Sequence, residues 1–170
     1  MGPSRLTLDK PVIAAIAGPA GAGGMELALF ADMRVMEKSA YMGVFSRRWG
    51  IPLIDGGTVR LPRLVGEGRA MDIILTGRKL DAEECLRIGL CEYVVDDGKS
   101  RQKAEELAHK IASFPQSCLR TDRKSVLDQH SLDFNDALRR EWENGKDEMA
   151  KDGIDGASRF AKGAGRHGKF

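Results

Sequence analysis

The sequence predicts an α/β fold followed by a helical carboxyl-terminal part. Short apolar runs rich in β-branched residues recur in the first hundred residues and are bounded by proline or glycine, which is typical of buried strands. Between these runs, apolar residues three or four positions apart predict helices. From residue 101 to residue 161 the helical spacing continues almost without interruption. The chain therefore combines strand–helix units with an all-helical segment.

The first predicted strand leads directly into a glycine-rich turn. Its apolar run, residues 12–16, is β-branched at three positions and lies between Pro11 and Gly18. A helix is predicted next, at residues 24–31. Beyond it, the patterns predict these elements in order: strands at 33–37 and 40–43, a long ordered loop at 44–57, helices at 58–65 and 66–75, and a strand at 90–95.

A helix is also predicted between the last two of these elements. Asp81 is placed to accept a backbone N–H at its start, and Glu84, three residues later, is expected to reach back to the cap. Gly89 ends this helix.

The carboxyl-terminal helices carry narrow apolar stripes on a charged background. Pro115 predicts a break between the first two of them, and a highly charged helix is predicted at residues 132–151. Its single apolar edge indicates packing against another helix or subunit. The tail, residues 162–170, is rich in glycine and basic residues and is expected to be mobile when unbound.

Composition excludes several classes of protein. The chain has 170 residues and a formal net charge of +2 with mixed signs, so neither a nucleic-acid surface nor an acidic tail is expected. The basic residues in 59–69 and 159–169 are the only support for RNA binding, and the near-neutral charge argues against it. No apolar run is long enough to cross a membrane. The odd cysteine count predicts reduced, mostly buried thiols in an intracellular protein, and no metal site is expected.

Residues 18–32 carry the chemistry. Glycines there let the backbone approach a ligand closely, and a helix that starts among them presents N–H groups and the positive end of its dipole. Glu26 lies on the first helical turn, where a carboxylate can move a proton. These groups together indicate a site that stabilises an oxyanion and transfers a proton at a neighbouring carbon.

Five linked motifs resemble the enoyl-CoA hydratase/isomerase (crotonase) superfamily. They lie at residues 10–18, 22–32, 56–66, 74–77 and 80–90, and their order and separations also fit the family. The resemblance implies a spiral core of ββα turns, incomplete here at the amino terminus, over residues 1–113. Residues 114–170 are then a helical trimerisation or lid segment, and the protein is a homo-oligomer, a trimer or a stacked hexamer.

The resemblance also implies an acyl-CoA thioester as the substrate, with no separate cofactor. The backbone N–H of Gly23 is expected to bind the thioester oxygen, and Glu26 is expected to be the catalytic carboxylate. The residues expected to contact the coenzyme A portion are Gly24, Gly43, Arg47, Phe160 and Lys162.

One position departs from the hydratase pattern. Ser46 aligns with the second glutamate of hydratases, and a hydroxyl cannot replace a carboxylate as a base at neutral pH. Asp55 is a candidate second acid–base group, or else a helix cap. Arg47 and Arg48 either pair with Glu26, bind an acidic acyl group or a phosphate, or are surface charges.

Two functions remain open at this point. The first is an acyl-CoA lyase or isomerase that works through Gly23 and Glu26, by isomerisation, dehydration or decarboxylation. The second is an amino-terminally truncated, non-catalytic or regulatory subunit that assembles with full-length family members, motivated by the short chain and by Ser46. The compartment is cytoplasmic or mitochondrial, and the sequence leaves this undecided.

Overall fold

The structure is a computed structural model that describes residues 2–165. It divides into two units, residues 1–109 and residues 110–170. The first unit holds six short strands, and the second is helical. The elements of the first unit are β1 (Ile13–Ile16), β2 (Pro19–Gly21), α1 (Gly23–Phe30), β3 (Met33–Glu37), β4 (Tyr41–Gly43), α2 (Gly57–Val65), α3 (Glu67–Thr76), β5 (Leu80–Asp81), α4 (Ala82–Arg87) and β6 (Tyr93–Val95).

The six strands form two three-stranded sheets that are wound turn upon turn. One sheet has the order β1-β3-β6 and is parallel throughout, and the other has the order β2-β4-β5. Successive turns stack in register, with Ile13 beside Met33 in one sheet and Gly21 beside Gly43 in the other. The mixed α/β architecture is confirmed. Strand β1 lies at one edge of its sheet, beside an open, mostly apolar groove of about 540 Å³ that also touches α1.

Apolar side chains from both sheets and from helices α1, α2, α3 and α4 form one core in the first unit. Leu61 and Val65 of α2, four residues apart, face inward, as do Ala70 and Ile73 of α3. This spacing places them on one face of each helix. Each fully buried leucine or isoleucine contributes about 1.5–3 kcal/mol relative to an exposed one. The core therefore fixes both helices against the sheets.

Arg34 on β3 is a buried cation that is satisfied on every side. Its exposed fraction is 2%. Its Nε donates to the carbonyl of Leu90 at 2.9 Å, its Nη1 donates to the carbonyl of Ala31 at 2.7 Å, and its Nη2 pairs with Glu92. A buried charge is tolerated only with such partners. Arg34 therefore ties β3 to the segment that leads into β6.

The predicted strands and helices are largely confirmed, with three differences in the first unit. Strands β2 and β5 were missed by the sequence patterns. The predicted loop 44–57 contains a 3₁₀ helix, Phe45–Trp49. Asp81 does cap α4, since it accepts the N–H of Glu84 at 2.8 Å. The expected return of the Glu84 side chain to the cap is wrong, because Arg78 binds both its oxygens at 2.8 Å and lowers its pKa.

The cysteines divide between the two units. Cys85 and Cys91 are buried in the first unit, where burial raises the pKa of the thiols to about 12 and about 11. Cys118, in the second unit, is exposed. The prediction of mostly buried thiols is confirmed for two of the three.

The second unit consists of helices that bury little on their own. Helix α5 (Ser100–Ala112) crosses into this unit and is followed by α6 (Gln116–Asp128), α7 (Phe134–Glu148), a π-helical turn (Met149–Gly153) and α8 (Ile154–Ala161). The predicted break is confirmed, since Pro115 directly precedes α6. None of the residues of α6, α7 and α8 is buried. In the predicted mobile tail, residues 166–170 lie outside the described residues.

Candidate active site

A strained turn presents the start of α1. Ala22 has φ 49° and ψ −117°, and it is the one non-glycine residue with positive φ in the part of the chain that the structure describes. Its N–H donates to the carbonyl of Gly43 at 2.9 Å, which fixes the turn to β4. Gly23 and Gly24 then begin α1, where backbone N–H groups have no acceptor within the helix. The turn therefore offers N–H donors at the positive end of a helix dipole.

Glu26 lies in the first turn of α1, three residues after Gly23, and is buried. Its exposed fraction is 3%. Its Oε1 accepts two backbone hydrogen bonds, from the N–H of Asp55 and from the N–H of Gly57, both at 2.9 Å. The carboxylate is thus held by the loop that precedes α2. The sequence identifies Glu26 and Asp55 as separate candidate residues, but it does not predict that the loop containing Asp55 binds Glu26.

Asp55 lies in this same loop and is also buried. Its Oδ1 accepts a long hydrogen bond of 3.4 Å from the Oγ of Ser4, and its backbone carbonyl accepts one of 3.0 Å from Arg60. The alternative role of Asp55 as a helix cap is wrong, because the N-cap of α2 is Gly56 and no side chain caps that helix. The structure therefore places Asp55 next to Glu26 in the same loop–helix contact.

Ser46 lies in the 3₁₀ helix and is enclosed. Its exposed fraction is 8%, and within residues 2–165 its Oγ finds no hydrogen-bond partner. A buried hydroxyl without a partner costs about 1–3 kcal/mol. The position aligned with the second glutamate is thus an enclosed hydroxyl that makes no hydrogen bond to Glu26.

Arg47 and Arg48 are both exposed. The Nε of Arg47 donates to the carbonyl of Ile74 at 3.2 Å. Arg48 lies over the ring of Phe45 at 5.7 Å. The suggested ion pair with Glu26 is not formed, because backbone groups hold that carboxylate instead. The anion-binding and surface-charge interpretations of the two arginines both stay open.

Gly43 has a role in the scaffold. A Cβ there would come within 2.5 Å of the Phe45 ring and 2.9 Å of the carbonyl of Arg78. Its register partner Gly21 is covered by the same ring, which a Cβ on that glycine would approach to 2.6 Å. The two glycines thus leave room for the ring of Phe45 beside both strands. Gly43 also accepts the N–H of Ala22, so it supports the turn that presents Gly23.

The two remaining predicted contact residues lie in the second unit. Phe160 is on α8 with an exposed fraction of 61%. Lys162 follows the helix, and its N–H donates to the carbonyl of Ser158 at 3.1 Å. The residues brought together around Glu26 all belong to the first unit, so the roles of Phe160 and Lys162 stay predictions.

Sequence reasoning missed the groups that hold Glu26. These are the backbone N–H groups of Asp55 and Gly57, together with Arg60, which binds the carbonyls of Asp55 and Ser4. The signal present in the chain was the sequence Asp55-Gly56-Gly57 at the start of a helix, since paired glycines permit a close backbone approach. Only the fold shows which carboxylate they approach.

Comparison with known proteins identifies the family. The model of the enoyl-CoA hydratase/isomerase family matches residues 4–163. The chain belongs to this family, and the predicted family membership is confirmed. The match extends over both units.

Individual relatives support the same family membership. The chain is 34% identical over 169 residues to enoyl-CoA hydratase EchA19 of Mycobacterium tuberculosis, covering 95% of this chain and 64% of that protein. It is 38% identical over 131 residues to the short-chain-enoyl-CoA hydratase of Clostridium acetobutylicum, covering 77% of this chain and 50% of that protein. A crystal structure of enoyl-CoA hydratase from Bacillus anthracis superposes with a TM-score of 0.87 at 38% identity, covering 92% of this chain and 61% of that one.

The chain is shorter than these relatives. It spans between 50% and 64% of the length of the two curated proteins just named. All three relatives are bacterial, and they give no support to a mitochondrial location. No described helix combines the length and the apolar character that a membrane crossing requires.

Proposed function

We propose that the chain transfers protons at the carbon next to an acyl-CoA thioester, using Glu26 as the acid–base group. One observation carries this proposal: a buried carboxylate lies three residues after Gly23, on the helical turn whose N–H groups open toward a ligand. The names of the relatives, enoyl-CoA hydratases, supply the substrate class.

The chemistry follows from the two groups. The N–H of Gly23 donates to the thioester oxygen and stabilises the negative charge that develops there when the neighbouring carbon loses a proton. A donor placed in this way contributes about 2.7–4 kcal/mol to the transition state. Glu26 accepts that proton and returns it at the same carbon or at a neighbouring one. The coenzyme A thioester is the substrate, and no other cofactor takes part in this scheme.

Asp55 is proposed as the second acid–base group. It is buried beside the Glu26 contact, whereas Ser46 offers only a hydroxyl. Glu26 with a neighbouring aspartate suits double-bond isomerisation, dehydration or decarboxylation, and it differs from the pair of glutamates with which hydratases add water. Contacts to coenzyme A are assigned to Gly24, Gly43, Arg47, Phe160 and Lys162.

The test is a turnover panel of enoyl-CoA and hydroxyacyl-CoA thioesters with three matched variants. Glu26→Gln keeps the shape of the side chain and is expected to lower kcat by about 10²–10⁴-fold, the range of general acid–base catalysis. Asp55→Asn is expected to lower kcat in at least one of the three reactions, and Ser46→Ala is the control with little change. Full turnover by Glu26→Gln on every thioester would rule out this mechanism.

A second candidate is a non-catalytic subunit that assembles with longer family members. The observation that favours it is the Ser46 hydroxyl, which stands at the position of the second glutamate and has no hydrogen bond within the described residues. Co-expression with a longer homologue followed by size-exclusion chromatography distinguishes the two candidates. Failure to co-elute would remove the second one.

The proposed assembly is a homo-oligomer, a trimer or hexamer, formed through the second unit. Helix α7 supports this, because Phe134, Leu138 and Trp142 project from one face with exposed fractions of 77%, 50% and 60%. Exposed aromatic side chains at helical spacing are typical of interfaces.

A further inference from the structure

The loop before α2 forms hydrogen bonds with one carboxylate oxygen of Glu26, Oε1, and none with the other, Oε2. Oε1 accepts the N–H groups of Asp55 and Gly57, each at 2.9 Å. Within the described residues 2–165, no group donates a hydrogen bond to Oε2. Because a carboxylate is planar, fixing Oε1 by two donors also fixes the direction in which Oε2 points.

We infer that Glu26 works through Oε2 alone and that Gly57 is the residue that positions it. This inference rests on the proposed function. In the first half of the reaction Oε2 takes the proton, the carbon–hydrogen bond breaks, and its electron pair moves to the thioester oxygen. In the second half the electron pair returns from the thioester oxygen and forms a new carbon–hydrogen bond with the proton, which leaves Oε2. Oε1 keeps its two N–H partners throughout, so it is not free to carry the proton.

Gly57 suits this role because any side chain at this position would press on Glu26. A Cβ at this position would lie 3.0 Å from both Cγ and Oε1 of Glu26 and 3.0 Å from Cδ1 of Leu53. The added carbon would be confined between the carboxylate and a side chain that packs on the core, so Glu26 itself would have to move by a few tenths of an ångström. The backbone N–H of Gly57 would remain. An alanine therefore shifts the carboxylate without removing its donor.

Arg60 holds the loop from the opposite side. Its Nη1 donates to the carbonyl of Asp55 at 3.0 Å, its Nη2 donates to the carbonyl of Ser4 at 2.7 Å, and its guanidinium lies 5.5 Å from the ring centroid of Phe30. Phe30 is the last residue of α1, the helix that carries Glu26. The loop, α1 and α2 are thus joined at several points, and the N–H groups are held in place before substrate arrives.

The decisive variant is Gly57→Ala, and Gly68→Ala is its matched control. Gly68 also lies in the first turn of a helix, and a Cβ there would meet nothing within 4 Å. We expect Gly57→Ala to lower kcat about tenfold or more while KM stays within about twofold, since misplacing a reacting group reduces catalysis more than binding. Gly68→Ala is expected to change neither constant. A kcat for Gly57→Ala within about twofold of the parent would overturn the inference.

A second measurement does not depend on turnover. In Glu26→Ala the amides of Asp55 and Gly57 lose their acceptor, and their hydrogen exchange is expected to accelerate about tenfold or more. The amide of Ala70, which donates to the carbonyl of Gly66 at 3.0 Å, is the internal reference and should not change. Unchanged exchange at both loop amides would refute the inference.

The two measurements separate the inference from the proposed function. The parent chain could turn over no thioester while the amides of Asp55 and Gly57 still exchange faster in Glu26→Ala. In that case the proposed function fails, and the two hydrogen bonds to Oε1 have no catalytic role. If Glu26→Gln abolishes turnover while Gly57→Ala does not reduce it, the proposed function stands and the positioning role fails.

Discussion

The two units of this chain obtain their stability in different ways. In the first unit, α2 and α3 bury Leu61, Val65 and Ile73 against two sheets, and even Glu26 is buried. In the second unit, α6, α7 and α8 bury no residue, and Trp142 is 60% exposed. The first unit therefore has a core of its own, whereas the second leaves the apolar faces of its helices exposed.

The largest expected effect tests the core of the first unit. Leu61→Ala removes a side chain that is 0% exposed and should lower the free energy of unfolding by about 2–5 kcal/mol, because a cavity remains. Leu138→Ala, at a 50% exposed position of α7, should cost less than about 0.5 kcal/mol in the monomer. Urea denaturation at low protein concentration measures both. Equal costs at the two positions would contradict the contrast between the units.

The second prediction tests the proposal that the exposed apolar face of α7, in the second unit, is the interface for self-association. Trp142→Asp places a charge on the apolar face of α7 and should weaken self-association by about 100-fold, a cost of about 2.7 kcal/mol. Glu141→Gln, at the exposed position next to it, is the control and should associate normally. Sedimentation over a range of concentrations measures the dissociation constant. An unchanged constant in Trp142→Asp would show that this face is not the interface.

A smaller effect tests the strained turn of the first unit. Ala22 at φ 49° costs about 1–3 kcal/mol of strain, whereas glycine adopts such a conformation freely. The greater flexibility of glycine in the unfolded chain costs about 0.4–1 kcal/mol, so Ala22→Gly should stabilise the protein by about 1 kcal/mol. Thermal unfolding provides the measurement, with Ala14→Gly in β1 as a destabilised control. A lower melting temperature for Ala22→Gly would refute this account.

The smallest expected effect is on the stability of the first unit at acidic pH. The backbone N–H of Gly98 and the hydroxyl and N–H of Ser100 lower the pKa of Glu37 below its ordinary value of 4.5. A lowered pKa in the folded state means that the stabilisation is complete above pH 4.5 and is lost as the pH falls through the folded-state pKa. Below pH 4.5 the parent chain should therefore lose more stability than Glu37→Gln. Ser100→Ala should lie between them, and identical acid unfolding curves would contradict the prediction.

The sequence predicted the regular elements of the first unit because their signals are local. Residues 12–16 are all apolar and β-branched at three positions, which predicts a strand by itself, and residues 33–37 contain the apolar residues Met33, Val35 and Met36. Strand β2 is Pro-Ala-Gly, which has no strand preference, and it forms because β4 pairs with it in register. Such a strand depends on a contact between distant residues, so no local pattern indicates it.

The candidate site was predicted only in part for the same reason. Gly23 and Glu26 are close in sequence, and the helix between them fixes their relation. The hydrogen bond from the N–H of Asp55 to Glu26 joins residues on different elements. The predicted hydrogen bond from Glu84 to its own helix cap is not formed, because Arg78 binds that carboxylate instead. Local rules identify the partner of a side chain only where no distant group binds it better.

The contact of the Phe45 ring with Gly21 and Gly43 determines which substitutions these two glycines can tolerate. At Gly21 the three atoms nearest to a Cβ would all belong to this ring, so a smaller residue at position 45 would relieve the contact. At Gly43 a Cβ would also meet the carbonyl of Arg78, a backbone atom that no substitution removes. Two adjacent glycines are therefore constrained differently: one is free to mutate after a permissive change elsewhere, and the other is not. Replacing Phe45 by a smaller residue therefore relieves the contact at Gly21 but leaves the contact of Gly43 with the carbonyl of Arg78.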